Sequence, residues 1–117
     1  MNPIIRQEMK RYCFALDLIN DTTSIKEYIA YHKEVWPEIL DSLRDSGIID
    51  AEIYNVADRL FLMMDTNKSF VLEHKGKMDA QNPVVQKWEE LMSTYQKSLP
   101  NTKPGEKWVL MERIFKL

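Results

Sequence analysis

The segment from Tyr28 to Pro37, Tyr-Ile-Ala-Tyr-His-Lys-Glu-Val-Trp-Pro, contains the residue types best suited to proton transfer in this chain. If the segment is a helix with about 100° of rotation per residue, His32 falls near the middle of an apolar arc about 120° wide. Tyr28 stands one turn earlier, so a phenol and an imidazole would face the same space about 6 Å apart. An imidazole with an ordinary pKa of about 6.5 can exchange protons near neutral pH. The other members of this arc are Ile25, Ile29, Val35 and Trp36.

His32 also has a purely structural interpretation. A buried imidazole with both nitrogens hydrogen-bonded would give the same pattern. Tyr28 on the same face, together with the ordinary histidine pKa of about 6.5, favours a functional role. The second histidine, His74, is predicted to be a solvated surface group, because its neighbours are Glu73, Lys75 and Lys77.

Trp88 and Glu89 form a second group of candidate residues, on a later predicted helix. Trp88 belongs to an apolar stripe with Val85 and Met92 as neighbours at helical spacing. Glu89 lies at the edge of that stripe, where its carboxylate would either line a polar pocket or reach solvent. Trp36, by contrast, is predicted to be a core residue, because large aromatic side chains on helical stripes mostly bury area.

Length and charge limit the classes of protein to which the chain can belong. Its 117 residues, of which 44% are hydrophobic, suit one domain, predicted over 11–117 after an N-terminal extension over 1–10. The 16 basic and 18 acidic residues give a net charge of −2 with no basic stripe. Nucleic acids and anionic membranes are therefore not expected as partners.

The single cysteine, Cys13, excludes an intramolecular disulfide framework. No Cys-x-x-Cys or His-x-x-x-His spacing predicts a metal, and no glycine-rich phosphate loop predicts a nucleotide cofactor, so neither is expected. The N-terminus lacks the apolar run of a signal peptide, and no later segment has the roughly 18 apolar residues needed to span a bilayer. A reducing cytoplasm is the predicted location.

The hydrophobic periodicity predicts the element order β-α-β-β-α-β, in which each helical region is broken. This order is typical of a ferredoxin-like α+β sandwich. A capping box from Ser24 to Glu27 places the first helix start at Ile25, while Pro37 opens a second helix that closes at Gly47. The strands are predicted at 11–18, 48–55, 59–65 and 108–115, and the later helices at 68–79 and from Pro83 after the capping residue Asn82.

The run from Leu60 to Met64 is apolar at consecutive positions, which is typical of a strand covered on both faces. In a chain of this size the helices can cover only one face of the sheet. The other face needs a ligand or a protein partner, so the sequence predicts a homodimer in which the open sheet faces meet.

Several short motifs, taken together, resemble the L-rhamnose mutarotase family. They are Glu-Tyr-x-x-x-His over 27–32, Val-Trp-Pro-Glu-Ile over 35–39, Ile53-Tyr54, Asp-Arg-Leu-Phe over 58–61, Gln-Lys-Trp over 86–88 and the segment 111–115. The resemblance extends over nearly the whole of 11–117. It implies a small dimeric α+β barrel. It also implies that the protein interconverts the anomers of a free sugar without a cofactor.

The resemblance also implies roles for individual residues. His32 matches the catalytic proton donor of the family, and Tyr28 matches a sugar-binding tyrosine. Trp88 and Glu89 stand where rhamnose-specific members have two tryptophans, and Ala51 stands where they have a tyrosine. The Trp-Glu pair resembles members associated with L-fucose, so both L-rhamnose and L-fucose are expected candidates for the substrate.

Two other classes of function are compatible with the same residues. One is a cofactor-free oxygenase of the wider dimeric-barrel group, which would consume oxygen in a large apolar cavity. The other is a non-enzymatic sugar-binding dimer, in which Tyr28 and Trp88 hold a ligand and His32 moves no proton. The leading prediction is an isomerase acting on the anomeric carbon of a 6-deoxy-L-hexose.

Overall fold

Strand β1 (Lys10–Leu18) is the centre of the sheet, because it hydrogen-bonds to three other strands. The computed structural model describes residues 9–117. Every pairing is antiparallel, and the strand order is β2-β3-β1-β4 with β5 also beside β1. The remaining elements in chain order are α1 (Thr22–Lys33), α2 (Pro37–Asp45), β2 (Ile48–Val56), β3 (Arg59–Thr66), α3 (Leu72–Ala80), α4 (Pro83–Ser93), β4 (Gln96–Lys97) and β5 (Val109–Leu110). The predicted ferredoxin-like α+β fold is confirmed.

The core lies between the helices and one face of the sheet. Leu16, Leu18 and Leu60 project from this face and are almost inaccessible to solvent. One buried cluster joins Leu18 and Leu60 to α1, α2 and α4, and a second cluster gathers around Phe14. Burying a leucine of this kind stabilises the fold by about 1.5–3 kcal/mol, so the alternation of β1 is what fixes which face carries the helices.

The helix boundaries follow the predicted capping residues and prolines with two corrections, of which one is that the helix predicted over 68–79 begins only at Leu72. Pro37 and Pro83 are the first residues of α2 and α4, and the side chain of Asn82 accepts hydrogen bonds from the amides of Val84 and Val85, as a capping residue should. The start of α1 differs, because its capping residue is Asp21, whose carboxylate accepts the amide of Ser24 at 2.9 Å. The predicted capping box at Ser24 is therefore wrong: aspartate three residues earlier caps the helix equally well.

The C-terminal region also departs from the prediction. The strand predicted over 108–115 is reduced to the two residues Val109–Leu110, and the short strand Gln96–Lys97 takes the place beside β1 at its other end. The amide of Met111 still donates to the carbonyl of Cys13 at 2.8 Å. Beyond it, residues 112–117 are exposed and outside any strand. The alternation was present, but a strand needs a partner strand, and residues 9–117 provide one for Val109 and Leu110 only.

The N-terminal boundary can be compared with the prediction at one point. Lys10 already belongs to β1, one residue before the predicted start of the domain at 11. The remainder of the predicted extension, residues 1–8, lies outside the described residues. None of the helices within 9–117 is both long enough and apolar enough to cross a bilayer.

The face of the sheet opposite the helices has an apolar centre bordered by two ion pairs. Cys13 and Ala15 of β1 lie directly across from Met63 and Phe61 of β3, and all four are only half-buried. Neither buried cluster of the described residues includes any of them. The flanking pairs are Arg11 with Asp65 and Arg59 with Asp17, each joined by two hydrogen bonds of 2.7–3.1 Å.

Gly47, between α2 and β2, provides a test of the backbone geometry. Its φ is +103°, and a Cβ at this position would come within 2.9 Å of the Asn67 side chain. We expect Gly47→Ala to lower the free energy of unfolding by about 1–3 kcal/mol, because L-residues are strained in this region. Gly76→Ala on α3 is the matched control: a Cβ there meets nothing within 4 Å, so the change should stabilise the protein by about 0.4–1 kcal/mol.

Urea unfolding midpoints of the two variants and the parent, measured at one protein concentration, check this expectation. Equal midpoints for Gly47→Ala and the parent would contradict the positive φ.

Candidate functional site

One cavity of about 860 Å³ lies between the sheet and the helices. All four predicted site residues line it. Tyr28 and His32 reach it from α1, and Trp88 and Glu89 reach it from α4. The sheet contributes apolar side chains of β1, β2 and β3 to the opposite wall, namely Phe14, Ala51, Ile53, Leu62 and Met64. The cavity is thus large enough for a small polar molecule and has one chemically active wall.

His32 is held in a defined tautomer by its own helix. Nδ1 lies 2.8 Å from the main-chain carbonyl oxygen of Tyr28. A carbonyl oxygen can only accept a hydrogen bond, so Nδ1 carries the proton and Nε2 is the nitrogen left to exchange protons. Burial lowers the pKa of the His32 imidazole below its usual value, and the hydrogen bond to Tyr28 acts in the opposite direction. The half-buried ring is therefore mostly neutral at pH 7, and its protonated form is a stronger acid than free imidazole.

Tyr28 is buried, with 2% of its surface exposed, and its ring lies against that of His32. The ring centroids are 4.4 Å apart, closer than the predicted separation of about 6 Å, because the two rings stack at a shallow angle of 33°. The phenol oxygen accepts a hydrogen bond from Nε2 of Gln96 at 3.4 Å. Burial raises the pKa of the Tyr28 phenol, and the bond from Gln96 partly offsets this. Tyr28 thus stays protonated at neutral pH and keeps its own hydrogen available for donation.

Trp88 packs behind the imidazole. Its indole meets the His32 ring edge to face with centroids 5.6 Å apart, and it meets Trp36 in the same way at 5.1 Å. The sequence prediction for Trp36 holds, since this residue packs against the core cluster and does not line the cavity. Trp88 itself is both a core residue and part of the cavity wall, so it can offer an apolar surface to a ligand.

Glu89 follows Trp88 on α4 and also lines the cavity, although much of its side chain is exposed in the single subunit. Its Oε2 atom lies 3.4 Å from Nε2 of Gln86, at the long limit of a hydrogen bond. Burial raises the pKa of the Glu89 carboxyl and nearby Asp79 adds to the rise, whereas Lys75, Gln86 and Lys107 oppose it. The Glu89 carboxylate therefore lines the cavity and is also exposed to solvent, so features of both interpretations of the sequence are present.

Among the further lining residues that were not predicted from the sequence, five are polar or aromatic residues of α3, β4 and the segment before β5. Gln96 contacts Tyr28 across 68 positions of the chain, and Lys75 and Asp79 form a buried ion pair within α3. The other two are Lys107 and Trp108, which precede β5. Of these five, only Lys75 and Asp79 could have been recognised from the sequence, because residues four apart can form an ion pair on a helix. Asp79 has 9% of its surface exposed, and a carboxylate this buried requires a partner. The remaining three reach the cavity through tertiary contacts alone.

His74, predicted to be a surface group, is exposed on α3. Across the part of the chain that the structure describes, no three His, Cys, Asp or Glu side chains come together in an arrangement that could hold a metal ion. The described lining of the cavity combines an imidazole, a phenol, two carboxylates and two ammonium groups with aromatic walls. These groups can bind hydroxyls and transfer protons.

Comparison with known proteins identifies the family. Residues 11–117 match the pattern of L-rhamnose mutarotase. An L-fucose mutarotase from Xanthomonas campestris pv. campestris is 42% identical over 111 residues, covering 93% of this chain and 89% of that protein. An L-rhamnose mutarotase from Phocaeicola vulgatus is 36% identical over 84 residues, covering 68% of this chain and 74% of that protein.

A solved structure agrees with the fold. The crystal structure of an L-rhamnose mutarotase from Formosa agariphila superposes with a TM-score of 0.68 at 22% sequence identity, and the match covers 92% of this chain and 98% of that chain. The sequence match spans the whole fold described above, including the segment with Tyr28 and His32. The chain therefore belongs to the L-rhamnose mutarotase family.

Proposed function

We propose that the protein is an aldose 1-epimerase that interconverts the α and β anomers of a free 6-deoxy-L-hexose. The observation that carries this proposal is the state of His32, whose Nδ1 is engaged by the Tyr28 carbonyl while its ring lines the cavity. Such an imidazole exchanges protons through Nε2 alone, in a fixed direction. Family membership supplies the reaction to which this proton transfer belongs.

Anomer exchange proceeds through the open-chain aldehyde. The ring oxygen gains a proton and the anomeric hydroxyl loses one as the bond between the anomeric carbon and the ring oxygen breaks. Protonated His32 donates from Nε2 to the ring oxygen, and the neutral imidazole recovers that proton when the oxygen attacks the other face of the aldehyde. A second group must accept the proton of the anomeric hydroxyl.

Tyr28 and Trp88 hold the sugar beside His32. The Tyr28 phenol donates to a sugar hydroxyl while its oxygen accepts from Gln96. The indole of Trp88 covers the apolar C–H groups of the ring, which a 6-deoxy sugar presents together with its methyl group. Glu89 completes the polar side of the site as a further sugar-binding residue.

The candidate sugars are L-rhamnose and L-fucose. Both names occur among the relatives, at 42% identity for the fucose mutarotase and 36% for the rhamnose mutarotase. We propose the free sugar rather than its phosphate, because none of the arginines within 9–117 lines the cavity and, of the two lysines in its lining, Lys75 is already paired with Asp79 while Lys107 is a single cation. Neither a metal nor an organic cofactor is part of the proposal.

We further propose that the active form is a homodimer in which the open sheet faces meet. The supporting observation is the half-buried centre formed by Cys13, Ala15, Phe61 and Met63 between the two Arg–Asp pairs. Patches of this kind on a soluble protein mark association surfaces. A second copy is the occupant that fits, because an isologous contact presents the same apolar centre and the same balanced charges from both sides.

The C-terminal segment supports the same assembly. Ile114 is 93% exposed and Phe115 is 74% exposed. The edge strand β2 is likewise exposed from Ile49 to Val56, so it has free hydrogen-bonding groups along its outer side. A segment that has strand-like alternation and no partner strand among residues 9–117, beside a sheet with an open edge, is suited to pairing between subunits.

A reducing cytoplasm is the location that we propose. Cys13 is the only cysteine of the chain, and it is a free thiol on the proposed interface. An unpaired cysteine at a subunit contact is more easily maintained where thiols stay reduced.

His32→Asn should lower the rate of anomer exchange about 10²–10⁴-fold, because one general acid contributes roughly this factor. Magnetisation-exchange NMR between the anomers of L-rhamnose, L-fucose and several common aldoses measures the rate without a coupled enzyme. His74→Asn, which changes the exposed histidine, is the matched control and should leave the rate unchanged.

The same experiment separates the competing functions. A folded His32→Asn protein that exchanges anomers as fast as the parent would exclude the proton-transfer role of His32. A parent that binds the sugars without accelerating exchange would indicate a sugar-binding dimer, and oxygen consumption would indicate an oxygenase.

Tyr28→Phe should lower kcat/KM by about tenfold or less, since a neutral hydrogen bond to a bound ligand is worth about 0.5–1.5 kcal/mol. The ring contact with His32 is retained in phenylalanine, so kcat should change less than KM. Steady-state exchange rates over a range of sugar concentrations distinguish the two constants. Unchanged constants would reduce Tyr28 to a core residue.

Ile114→Asp should convert the dimer to a monomer at micromolar concentration. The side chain makes almost no contact within its own subunit, so the substitution cannot destabilise that subunit through lost packing. Val71→Asp introduces the same charge at another exposed apolar position and should remain dimeric. Light scattering coupled to size-exclusion chromatography gives both masses, and a dimeric Ile114→Asp protein or a monomeric parent would contradict the assembly.

A further inference from the structure

We infer that Glu89 is the second proton-transfer group of the site, accepting the proton of the anomeric hydroxyl while His32 protonates the ring oxygen. The inference rests on the proposed function and extends it from one proton-transfer group to two. It gives Glu89 a chemical step beyond the binding of a sugar hydroxyl.

Lys75 and Lys107 also line the cavity, but an ammonium group only donates hydrogen bonds. The other titratable side chains of the described lining are Tyr28, His32, Asp79 and Glu89. His32 is occupied as the acid. Tyr28 is a neutral phenol, since its burial opposes ionisation, and a neutral phenol is a weak acceptor of protons. The choice therefore lies between the two carboxylates.

The negative charge of Asp79 is already balanced by an ion pair. Its carboxylate is paired with the ammonium of Lys75 one helical turn earlier, and both side chains are largely buried. Removing a carboxylate from such a pair by protonation would leave an uncompensated buried cation, which is costly. Asp79 is therefore a structural and electrostatic group rather than a base.

Glu89 has free acceptor capacity. Its only hydrogen bond within the described residues is the 3.4 Å contact with Gln86, so most of its lone pairs remain available to a ligand. Position 89 follows Trp88, whose indole contacts the His32 ring. A sugar lying on that indole therefore has the imidazole and the carboxylate within the same cavity.

The charges around Glu89 suit a base that works near neutral pH. From α3 it faces Asp79 and Lys75, and from the segment before β5 it faces Lys107. Gln86 lies beside it on α4, and the two titratable groups of α1 that share the cavity are Tyr28 and His32. Burial and Asp79 make the carboxylate more basic than an ordinary glutamate, while the lysines keep it ionised enough to act.

The proposed step is balanced. In ring opening, the anomeric O–H bond breaks and its proton moves to the Glu89 carboxylate, a carbonyl forms at the anomeric carbon, and the ring oxygen receives a proton from Nε2 of His32. After rotation about the bond to the neighbouring carbon, neutral His32 takes the proton back from the attacking hydroxyl. Glu89 then returns its proton to the carbonyl oxygen, so both groups end in their starting states.

The pH dependence follows from these roles. Glu89 must be ionised, so kcat/KM falls as the pH drops through its raised pKa. His32 must be protonated, so kcat/KM falls as the pH rises through its lowered pKa. The plot of kcat/KM against pH is therefore a narrow bell, in which Glu89 determines the acid limb and His32 determines the alkaline limb.

Glu89→Gln is the decisive variant, because it preserves shape and removes the basic oxygen. We expect kcat to fall about 10²–10⁴-fold on the best sugar and the acid limb to disappear, while the alkaline limb remains. Glu90→Gln, at the next and exposed position, is the matched control and should behave as the parent. The rates come from magnetisation-exchange NMR after subtraction of the exchange seen without protein at each pH.

Asp79→Asn tests the effect of the Asp79 charge on the pKa of Glu89. Loss of this anion, with Lys75 retained, should lower the pKa of Glu89 and move the acid limb to lower pH while the alkaline limb stays in place. Glu73→Gln on the same helix removes the acidic member of an exposed pair with Lys77 and should move neither limb. Circular dichroism establishes that each variant is folded.

Each result either supports or overturns the role of Glu89 as a base. A Glu89→Gln protein that keeps kcat and the acid limb, with or without a higher KM, would overturn the inference and leave Glu89 as a binding residue. Because the parent and His32→Asn are measured in the same series, this result is distinct from failure of the proposed function, in which the parent itself would not accelerate exchange. If Asp79→Asn does not fold, Glu89→Gln alone gives the answer.

Discussion

The hydrogen bond from Nδ1 of His32 to the carbonyl oxygen of Tyr28 is the interaction on which the proposed chemistry of this protein depends. It lies within one helix and joins residues four apart, so the backbone of α1 sets the orientation of the ring. It also decides the tautomer, because the carbonyl cannot donate. With Nδ1 engaged, the imidazole has one exchangeable nitrogen, and stacking against the phenol of Tyr28 and the edge of Trp88 limits the directions in which it can turn.

Much of the fold could be predicted because its signals are local. The alternation of β1, the prolines that open α2 and α4, and the positive φ of Gly47 are each readable within a few residues. The segment 108–115 shows the limit of this reasoning. Alternation there predicted a strand, yet only Val109 and Leu110 are paired, because pairing depends on a partner strand that the local pattern does not contain. The start of α1 was misplaced for a smaller reason, since Asp21 and Ser24 are both good capping residues and only the geometry selects between them.

The site could be predicted where it follows helix periodicity and not where it follows tertiary contact. Tyr28 and His32 share a helix face, and Trp88 lies on an apolar stripe, so their inward orientation was accessible from spacing. Gln96 reaches Tyr28 from a two-residue strand that no pattern predicted. The charge environment of Glu89 involves α3 and the segment before β5, which are distant in sequence, and its raised pKa is a property of the assembled cavity.

The two sides of strand β2 connect the cavity with the open face of the sheet. Ile53 lines the cavity, whereas Tyr54, the next residue, projects to the other side and meets the ring of Phe61 with centroids 6.3 Å apart. Since side chains alternate along a strand, any displacement of β2 moves both surfaces together. In the proposed dimer a second subunit would restrain Phe61 and Tyr54 from the open side, and the same restraint would hold Ile53 in the cavity wall. β2, which is exposed from Ile49 to Val56, would thereby become more rigid where it lines the proposed sugar site.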